Sequence, residues 1–519
     1  MNPARFTALL GLLCLSMPGF AAGVAGRYEV GDYGAVADGA TLCTEAVQKA
    51  IDDCSANGGG TVRFGAGTYV SGTLVLKTGV TLNLPAGCIL AGSENLDDYP
   101  VKVPEFRSYT DNYTDKSLIY AEKAERIGIS GEGALDGRGR AFEGEYKKRP
   151  YMIRFIECRE VTVTGVTLRD SPMWVQHYLA CDRVRIHGIT VRSHVNKNND
   201  GIDIDCCSNV VISDCDIASG DDAIVLKSTA DRPCKNITVT NCIVSSLCNG
   251  LKMGTESNGG FENIAISNCV VHDTRLSGLA LEMVDGGVMD RVVVSNISMS
   301  GVGAPIFVRL GNRARPFQKD GKKPGIGVMR NITITNIEAR GADMTGCAVS
   351  GIPEKRIENL TLSNIRLSFP GGGKRTDATR AISELPDKYP EHLMFGVLPA
   401  YGFFCRHVDG LNLDNVTVQL EGEDERHALV LDDVENAVIE GFDAPANGGI
   451  IPAMRLVGAR NIFVRGCRPR AGTGVFLGVH GKQSAGIVLS GNDFSGVDRV
   501  FTTGAGAVAA AVSQTGNIP

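Results

Sequence analysis

Two short stretches of the chain concentrate carboxylates. Asn198-Asn199-Asp200-Gly201-Ile202-Asp203-Ile204-Asp205 is followed by Gly220-Asp221-Asp222-Ala223. Asp200 and Asp221 lie 21 residues apart. If the chain completes about one turn in that length, Asp200, Asp221 and Asp222 sit on neighbouring turns. Carboxylates held so close repel one another, which raises at least one pKa and puts an acid and a base in one site. Hydrolysis of a glycosidic bond needs such a pair. Two other readings fit the same residues. Asp beside Gly is ordinary turn chemistry, and acidic clusters on exported solenoids bind calcium. No Cys-x-x-Cys or His-rich spacing offers a zinc site, and the adjacent Cys206 and Cys207 make a poor pair of ligands.

A repeat must position these acids. A polar residue, alternating apolar residues and then Gly, Asn or Asp recur as Glu160-Val-Thr-Val-Thr-Gly, Arg183-Val-Arg-Ile-His-Gly and Asn209-Val-Val-Ile-Ser-Asp. Further copies start at Arg126, Asn236, Asn263, Arg291, Asn331, Asn359, Gly410, Asn436, Asn461 and Gly486. From 160 to 291 the spacings are 23, 26, 27, 27 and 28 residues. Alternation of period two means strand, and a fixed period in the twenties means a solenoid. The leucine and asparagine pattern of a leucine-rich repeat is absent. The pattern predicts an all-β chain, a right-handed parallel β-helix whose coils stack about 4.8 Å apart. Residues 23–519 then form one domain, with loop insertions near 311–327 and 369–400. Thr44 to Cys54 is amphipathic, with Ala46, Val47, Ala50, Ile51 and Cys54 on one face. It predicts a short N-terminal capping helix, started by Thr41 or Thr44, over the open end of the solenoid. Asn-x-Ser/Thr triplets at Asn236, Asn331, Asn359 and Asn415 read as turn asparagines before strand threonines; glycosylation is the other reading.

Residues 1–22 read as an export signal. Arg5 precedes an apolar run from Phe6 to Met17, and Phe20-Ala21-Ala22-Gly23 offers small residues for cleavage. The run is short for a membrane anchor, and Leu13 before Cys14 argues against a lipoprotein site. The expected location is secreted or periplasmic, without membrane insertion, as a monomer. A net charge of −6 carries no nucleic-acid footprint. Sixteen cysteines in an exported chain suggest disulfides. However, Cys215, Cys242 and Cys269 recur at one repeat position, which predicts a row of buried, mostly free thiols.

The motifs together carry a resemblance. Tyr33-Gly-Ala-Val-Ala-Asp38-Gly, Ser171-Pro-Met-Trp174-Val-Gln-His177, Asn198-Asn199-Asp200-Gly201, Gly220-Asp221-Asp222, Lys227-Ser228 and Gly254-Thr255-Glu256 occur in order. The chain resembles glycoside hydrolase family 28, the polygalacturonase family, from about residue 28 to about 300 and more loosely beyond. The resemblance implies an inverting hydrolase of pectic, galacturonate-containing chains that needs no metal or other cofactor. It implies that Asp221 is the general acid, that Asp200 and Asp222 position and activate water, and that Asn198 orients a carboxylate or contacts sugar. A polysaccharide lyase and a non-catalytic carbohydrate-binding protein on the same fold are the alternatives.

Two positions depart from the family pattern. Its Gly-His-Gly reads Cys248-Asn249-Gly250, and an amide carries neither proton nor charge. Its Arg-Ile-Lys reads Ala280-Leu281-Glu282. Asn249, Lys252, Glu256 and Glu282 are expected to contact substrate. A carboxylate at Glu282 would repel a uronate by roughly 4 kcal/mol at about 4 Å, so action on unmodified polygalacturonate is expected to be weak. Arg309 and Arg313 open a basic run reaching Lys323 that could hold acidic sugar; a solvated loop is the other reading. Tyr401, at the end of an apolar insertion, is a candidate for stacking on a sugar ring or for packing against the solenoid wall.

Overall fold

The computed structural model describes residues 26–446 and 451–519. The export-signal reading of residues 1–22, and Cys14, lie outside them. Among the described residues no helix is long and apolar enough to cross a membrane. Among the described residues all pairings between strands are parallel apart from one isolated antiparallel bridge, Ile352 to Lys355. The result is a right-handed parallel β-helix with one continuous apolar core.

The repeat has a simple backbone cause. Its first residue is left-handed in coil after coil, from Glu160 (φ 56°) through Asn209 (57°), Asn236 (56°) and Asn263 (63°) to Asn461 (54°). The residue five places on is left-handed too: Asp214 (58°), Asn241 (56°), Asn268 (55°) and Asn296 (57°). Each repeat is therefore a short strand between two left-handed corners. Asn, Asp and Gly recur there because they tolerate that conformation at least cost. The corner asparagines also stack. Asn236 Nδ2 donates to Asn209 Oδ1 (3.1 Å), and Asn263 Nδ2 donates to Asn236 Oδ1 (2.9 Å). Asn331, Asn359 and Asn415 use their amides in the same way.

Cys215, Cys242 and Cys269 stack on successive coils: Ile243 N bonds to Cys215 O and Val270 N to Cys242 O, both at 2.9 Å. Every cysteine from Cys43 to Cys467 is a free thiol.

Helix α1 (Thr44–Ala56) buries Val47, Ala50, Ile51 and Cys54 over the first coils. The expected threonine cap does not form. Cys43 occupies the N-cap position without a side-chain bond. Thr44 Oγ1 instead accepts from Gly72 N (2.8 Å), and Thr41 Oγ1 donates to Asp38 (2.7 Å). The short distance from the Asp38–Leu42 strand to the helix commits both hydroxyls to neighbouring segments.

The wall that carries the acids is built from β1 (Gln176–Leu179), β2 (Ile202–Asp205), β3 (Ile224–Ser228), β4 (Leu251–Ser257), β5 (Gly260–Met283) and β6 (Val288–Leu310). One outward ladder runs His177, Asp203, Val225, Lys252, Ala280, Phe307. Long connections follow β6, up to Val328, and follow Phe369, up to Ala400. Asn236→Ala removes two ladder bonds and places a Cβ-bearing residue with no polar group at a left-handed corner. It should cost about 1–2 kcal/mol, read as a lower midpoint in chemical denaturation.

Candidate active site

The acids sit where the chain enters three successive wall strands. Asp200 precedes β2, Asp221 and Asp222 precede β3, and Asn249 precedes β4. Backbone bonds stack these entries: Gly201 N donates to Asp222 O (2.9 Å) and Ala223 N to Asn249 O (2.9 Å). Gly201 is required by this approach, because a Cβ there would meet Ala223 O at 2.5 Å. One oxygen from each of Asp200, Asp221 and Asp222 lies within 4.8 Å of the others.

Two buried lysines lie among them. Lys227 Nζ is 3.4 Å from Asp200 and 3.5 Å from Asp203. Lys252 Nζ is 3.1 Å from Asp222, 3.4 Å from Glu282 and 3.6 Å from Glu391. Asn249 donates to Asp222 Oδ1 from Nδ2 (2.8 Å) and from its backbone N–H (3.2 Å). These partners separate the three acids. Burial, with Asp221 next, holds Asp200 well above the ordinary carboxylate range. Burial and the Asp222 charge raise Asp221. Burial pushes Asp222 upward as well, but Lys252, Lys227 and the Asn249 amide outweigh it and hold Asp222 below the usual range. One acid thus keeps its proton beside another that has lost it, the arrangement for proton transfer in both directions. The two ammonium groups already supply the cationic charge that calcium would bring, so the cluster is poorly suited to a divalent ion.

The acids form the floor of a cleft of about 410 Å³. Tyr109, Tyr113, Tyr146, Met173 and Trp174 line it from the coils before the acids, and Tyr389 from the insertion after Phe369. Trp174 meets Tyr113 edge-on at 5.3 Å and has Lys227 Nζ 4.7 Å from its ring. Asn198 lines the cleft, its Oδ1 accepting from Arg149 (3.0 Å). Glu256 also lines it. Between β3 and β4 the register shifts, so Gly254, Thr255 and Glu256 stand against Lys227 alone. Such bulges re-aim side chains beside functional sites. Burial would raise Glu256, but Lys227, Arg315 and Arg313 bring it down to about 2, and Arg315 pairs with it at 2.5 Å.

Asn198 and Glu256 thus reach the cleft; the other expected substrate contacts do not. Asn249 and Lys252 are buried and act on Asp222. Glu282 is fully buried, neither of its oxygens has a hydrogen-bond donor, and burial raises it well above the ordinary range. It faces Lys252 beneath the floor, so the expected repulsion of a uronate has no charge in the cleft to produce it. Arg313 is committed to Asp285 (Nε, 2.9 Å) and lies behind the Tyr389 ring at 5.5 Å. Tyr401 packs in the solenoid core, because the strand from Ala400 turns it inward. Arg309 is fully buried and holds backbone: Nη1 donates to Ser350 Oγ (2.8 Å) and Gly351 O (2.9 Å), Nη2 to Glu384 O (2.7 Å) and Leu385 O (3.1 Å). It anchors the insertion that brings in Tyr389 and Glu391. The apolar insertion and the basic run were visible in the sequence, but nothing in the period shows that Tyr389, Glu391 and Arg315 come to the site.

The sequence model of the glycosyl hydrolases family 28 matches residues 54–387. The chain belongs to glycosyl hydrolases family 28. It is 34% identical over 214 residues to a protein named probable polygalacturonase from Vitis vinifera, covering 38% of this chain and 43% of that one. It is 39% identical over 118 residues to the exo-poly-alpha-D-galacturonosidase of Dickeya chrysanthemi, covering 21% and 19%. The chain thus spans less than half the length of these curated relatives. The family 28 chain shares its fold with the exopolygalacturonase from Thermotoga maritima, at a TM-score of 0.57 and 24% identity over 66% of this chain and 87% of that one.

Arg309→Met leaves several buried carbonyls without a donor and should cost about 3 kcal/mol. The expected signature is a lower melting temperature together with proteolytic cutting within 370–399, while other surface loops stay resistant.

Proposed function

We propose that the protein hydrolyses glycosidic bonds in pectic, galacturonate-containing chains outside the cytoplasm, with inversion at the anomeric carbon. The observation that carries this reading is geometric: of two adjacent acids in one cluster, Asp222 is bonded by the Asn249 amide and paired with Lys252, while Asp221 has no salt-bridge partner among the described residues. Asp221 gives its proton to the leaving oxygen as the bond to the anomeric carbon breaks. Asp222, with Asp200 beside it, orients a water and takes its proton as the water oxygen attacks. Family membership supports hydrolysis over a lyase or a purely binding role, and the aromatic wall supplies apolar faces for sugar rings.

Carboxyl spacing alone would favour retention, since retaining enzymes hold their pair about 5–5.5 Å apart and inverting ones about 6.5–9.5 Å. The partners of the acids argue the other way. A covalent nucleophile needs a free, ionised oxygen. Asp222 has Oδ1 bonded to Asn249 and Oδ2 paired with Lys252, and Asp200 holds its proton. A base needs only a lone pair within hydrogen-bond reach of the water, which each bonded oxygen still has, whereas a nucleophile must also come within bonding distance of the anomeric carbon. The cleft is bounded along the solenoid by Tyr113 and Tyr146 on one side and Tyr389 on the other, which suits a chain end over a long internal stretch. With Glu282 buried, its charge no longer weighs against plain polygalacturonate.

Asp221→Asn keeps the shape but cannot donate. Release of sugar from pectic oligosaccharides, followed by chromatography, should fall on the order of a hundredfold or more; near-normal turnover would remove Asp221 from the role. In proton NMR of the first-formed product, the anomer opposite to the substrate's configuration is expected. A retained anomer would instead require a covalent intermediate.

A further inference from the structure

A uronate carboxylate is held best by a cation, above all by a guanidinium. The family's cation pair is absent: Ala280 and Glu282 stand in its place, and Glu282 faces Lys252 beneath the floor. Among the residues that line the cleft, only Lys227 and Arg315 are cationic. Lys227 is taken up by Asp200, Asp203 and the Trp174 ring, and its side chain is 7% exposed. Arg315, on the connection after β6, is 26% exposed. We propose that Arg315 is the specificity-determining residue that binds the carboxylate of a galacturonate unit in the cleft. This deepens the reading of the substrate as a pectic chain and rests on it.

The backbone at Arg315 is pinned to the wall. Its N–H donates to Asp285 Oδ1 (2.9 Å), its carbonyl accepts from Asn258 Nδ2 (2.9 Å), and Ala314 N donates to Val284 O (2.9 Å). Residues 314 and 315 are thereby tied to the chain just past the ends of β4 and β5. The side chain is fixed as well. Its guanidinium carbon lies over the Tyr109 ring, 3.6 Å from the centre, and Tyr109 N donates to Thr229 O (2.8 Å). Nη2 donates to Glu256 (2.5 Å), and Nε is 3.9 Å from Asp285. Nη1 has no acceptor among the described residues, so two N–H groups of an oriented guanidinium are left for a ligand. The rest of the basic run does not compete. Arg309 and Arg313 are committed elsewhere, and Lys319, Lys322 and Lys323 are exposed and do not line the cleft.

The charge balance agrees with this geometry. Lys227, Arg315 and Arg313 act on Glu256, and both arginines also face Asp285. Asp200 and Asp203, the carboxyls beside Lys227, are held well above the ordinary range, chiefly by burial. Three cations therefore meet two carboxylates that are paired with arginine. The positive charge left over matches one uronate. A neutral or methyl-esterified unit brings no charge to meet it.

The test compares a free uronate with its neutral ester. Asp221→Asn serves as the parent, so that bound oligomers persist, and calorimetry follows its binding of trigalacturonate and of the fully methyl-esterified trimer. The parent should bind the acid at least about tenfold more tightly than the ester. Adding Arg315→Gln should weaken the acid by about ten- to a hundredfold, as expected for a lost charge-assisted hydrogen bond, and the ester by less than about threefold. Arg315→Met, which covers Tyr109 without a charge, should show the same selective loss and decides the matter if the glutamine variant does not fold. An arginine that only holds Glu256 in place would weaken both ligands alike. Equal losses for acid and ester, an undiminished preference for the acid, or a parent with no such preference overturns the proposal. The functional reading fails separately: if the unmodified protein cleaves no pectic oligomer while the preference for the acid depends on Arg315, hydrolysis is wrong and the binding role stands.

Discussion

Parallel stacking with a fixed register is the constraint on which the rest of the molecule depends. Paired left-handed corners five residues apart fix where each short strand begins and ends. Once two coils share these corners, every residue between them has one partner above and one below. Because side chains alternate, a slip of one residue would turn the apolar set outward and the outward ladder into the core. The corner asparagines oppose such a slip twice, by conformation and by their side-chain bonds to the next coil. Asp200, Asp221 and Asp222 therefore meet because the chain completes a coil between Asp200 and Asp221, not because any local element brings them together.

A wall of stacked strands also sets the electrostatics. Side chains on one outward ladder stand a few ångströms apart, so charges on neighbouring coils are strongly coupled. Here anionic and cationic residues interleave: Asp203 precedes Lys252 by two coils, and Lys227 stands between Asp205 and the bulge that presents Glu256. Burial alone would protonate every acid. The lysines decide which acid stays charged. Asp222 touches a lysine and the Asn249 amide, while Asp221 has no cation within salt-bridge distance and depends on the distance to its ionised neighbour. The difference between an acid and a base one residue apart in sequence is a difference in their partners on the next coil.

This explains what could be read from the sequence and what could not. Period, alternation and corner residues are local, so the β-helix, the row of free cysteines and the meeting of the acid trio were legible. The direction of a side chain at a particular coil was less so. Glu282 was expected in the cleft because its place in the motif is that of a substrate-binding lysine, but its carboxyl turns to Lys252, and no periodicity encodes that choice. Arg309 belongs to a basic cluster in the sequence, yet burial and four carbonyl or hydroxyl acceptors make it an anchor. Tyr401 closes an apolar insertion but opens a strand, and strand alternation decides its direction. Tyr389 and Glu391 were the least visible, since they reach the site through a loop whose path depends on contacts far along the chain.

The departures from the family pattern then form one connected change. Asn249 in place of histidine removes a group that could carry charge. Ala280 and Glu282 in place of a cation pair remove positive charge from the cleft surface and put a carboxyl under the floor. Lys252, on the coil that Asn249 opens and in register with Ala280 on the next, takes up both losses: it neutralises the buried side and holds Asp222. A lysine buried among three carboxyls is stable only if at least one of them stays protonated, since a net surplus of buried anions would cost more than the ion pairs return. The insertion completes the set by adding Glu391 at the solvent edge, where its proton can exchange. The clamp by Arg309 and Arg406 on the carbonyls of residues 382–385 is thus tied to the chemistry: two arginines beyond the cleft hold the loop that carries the last carboxyl of the network.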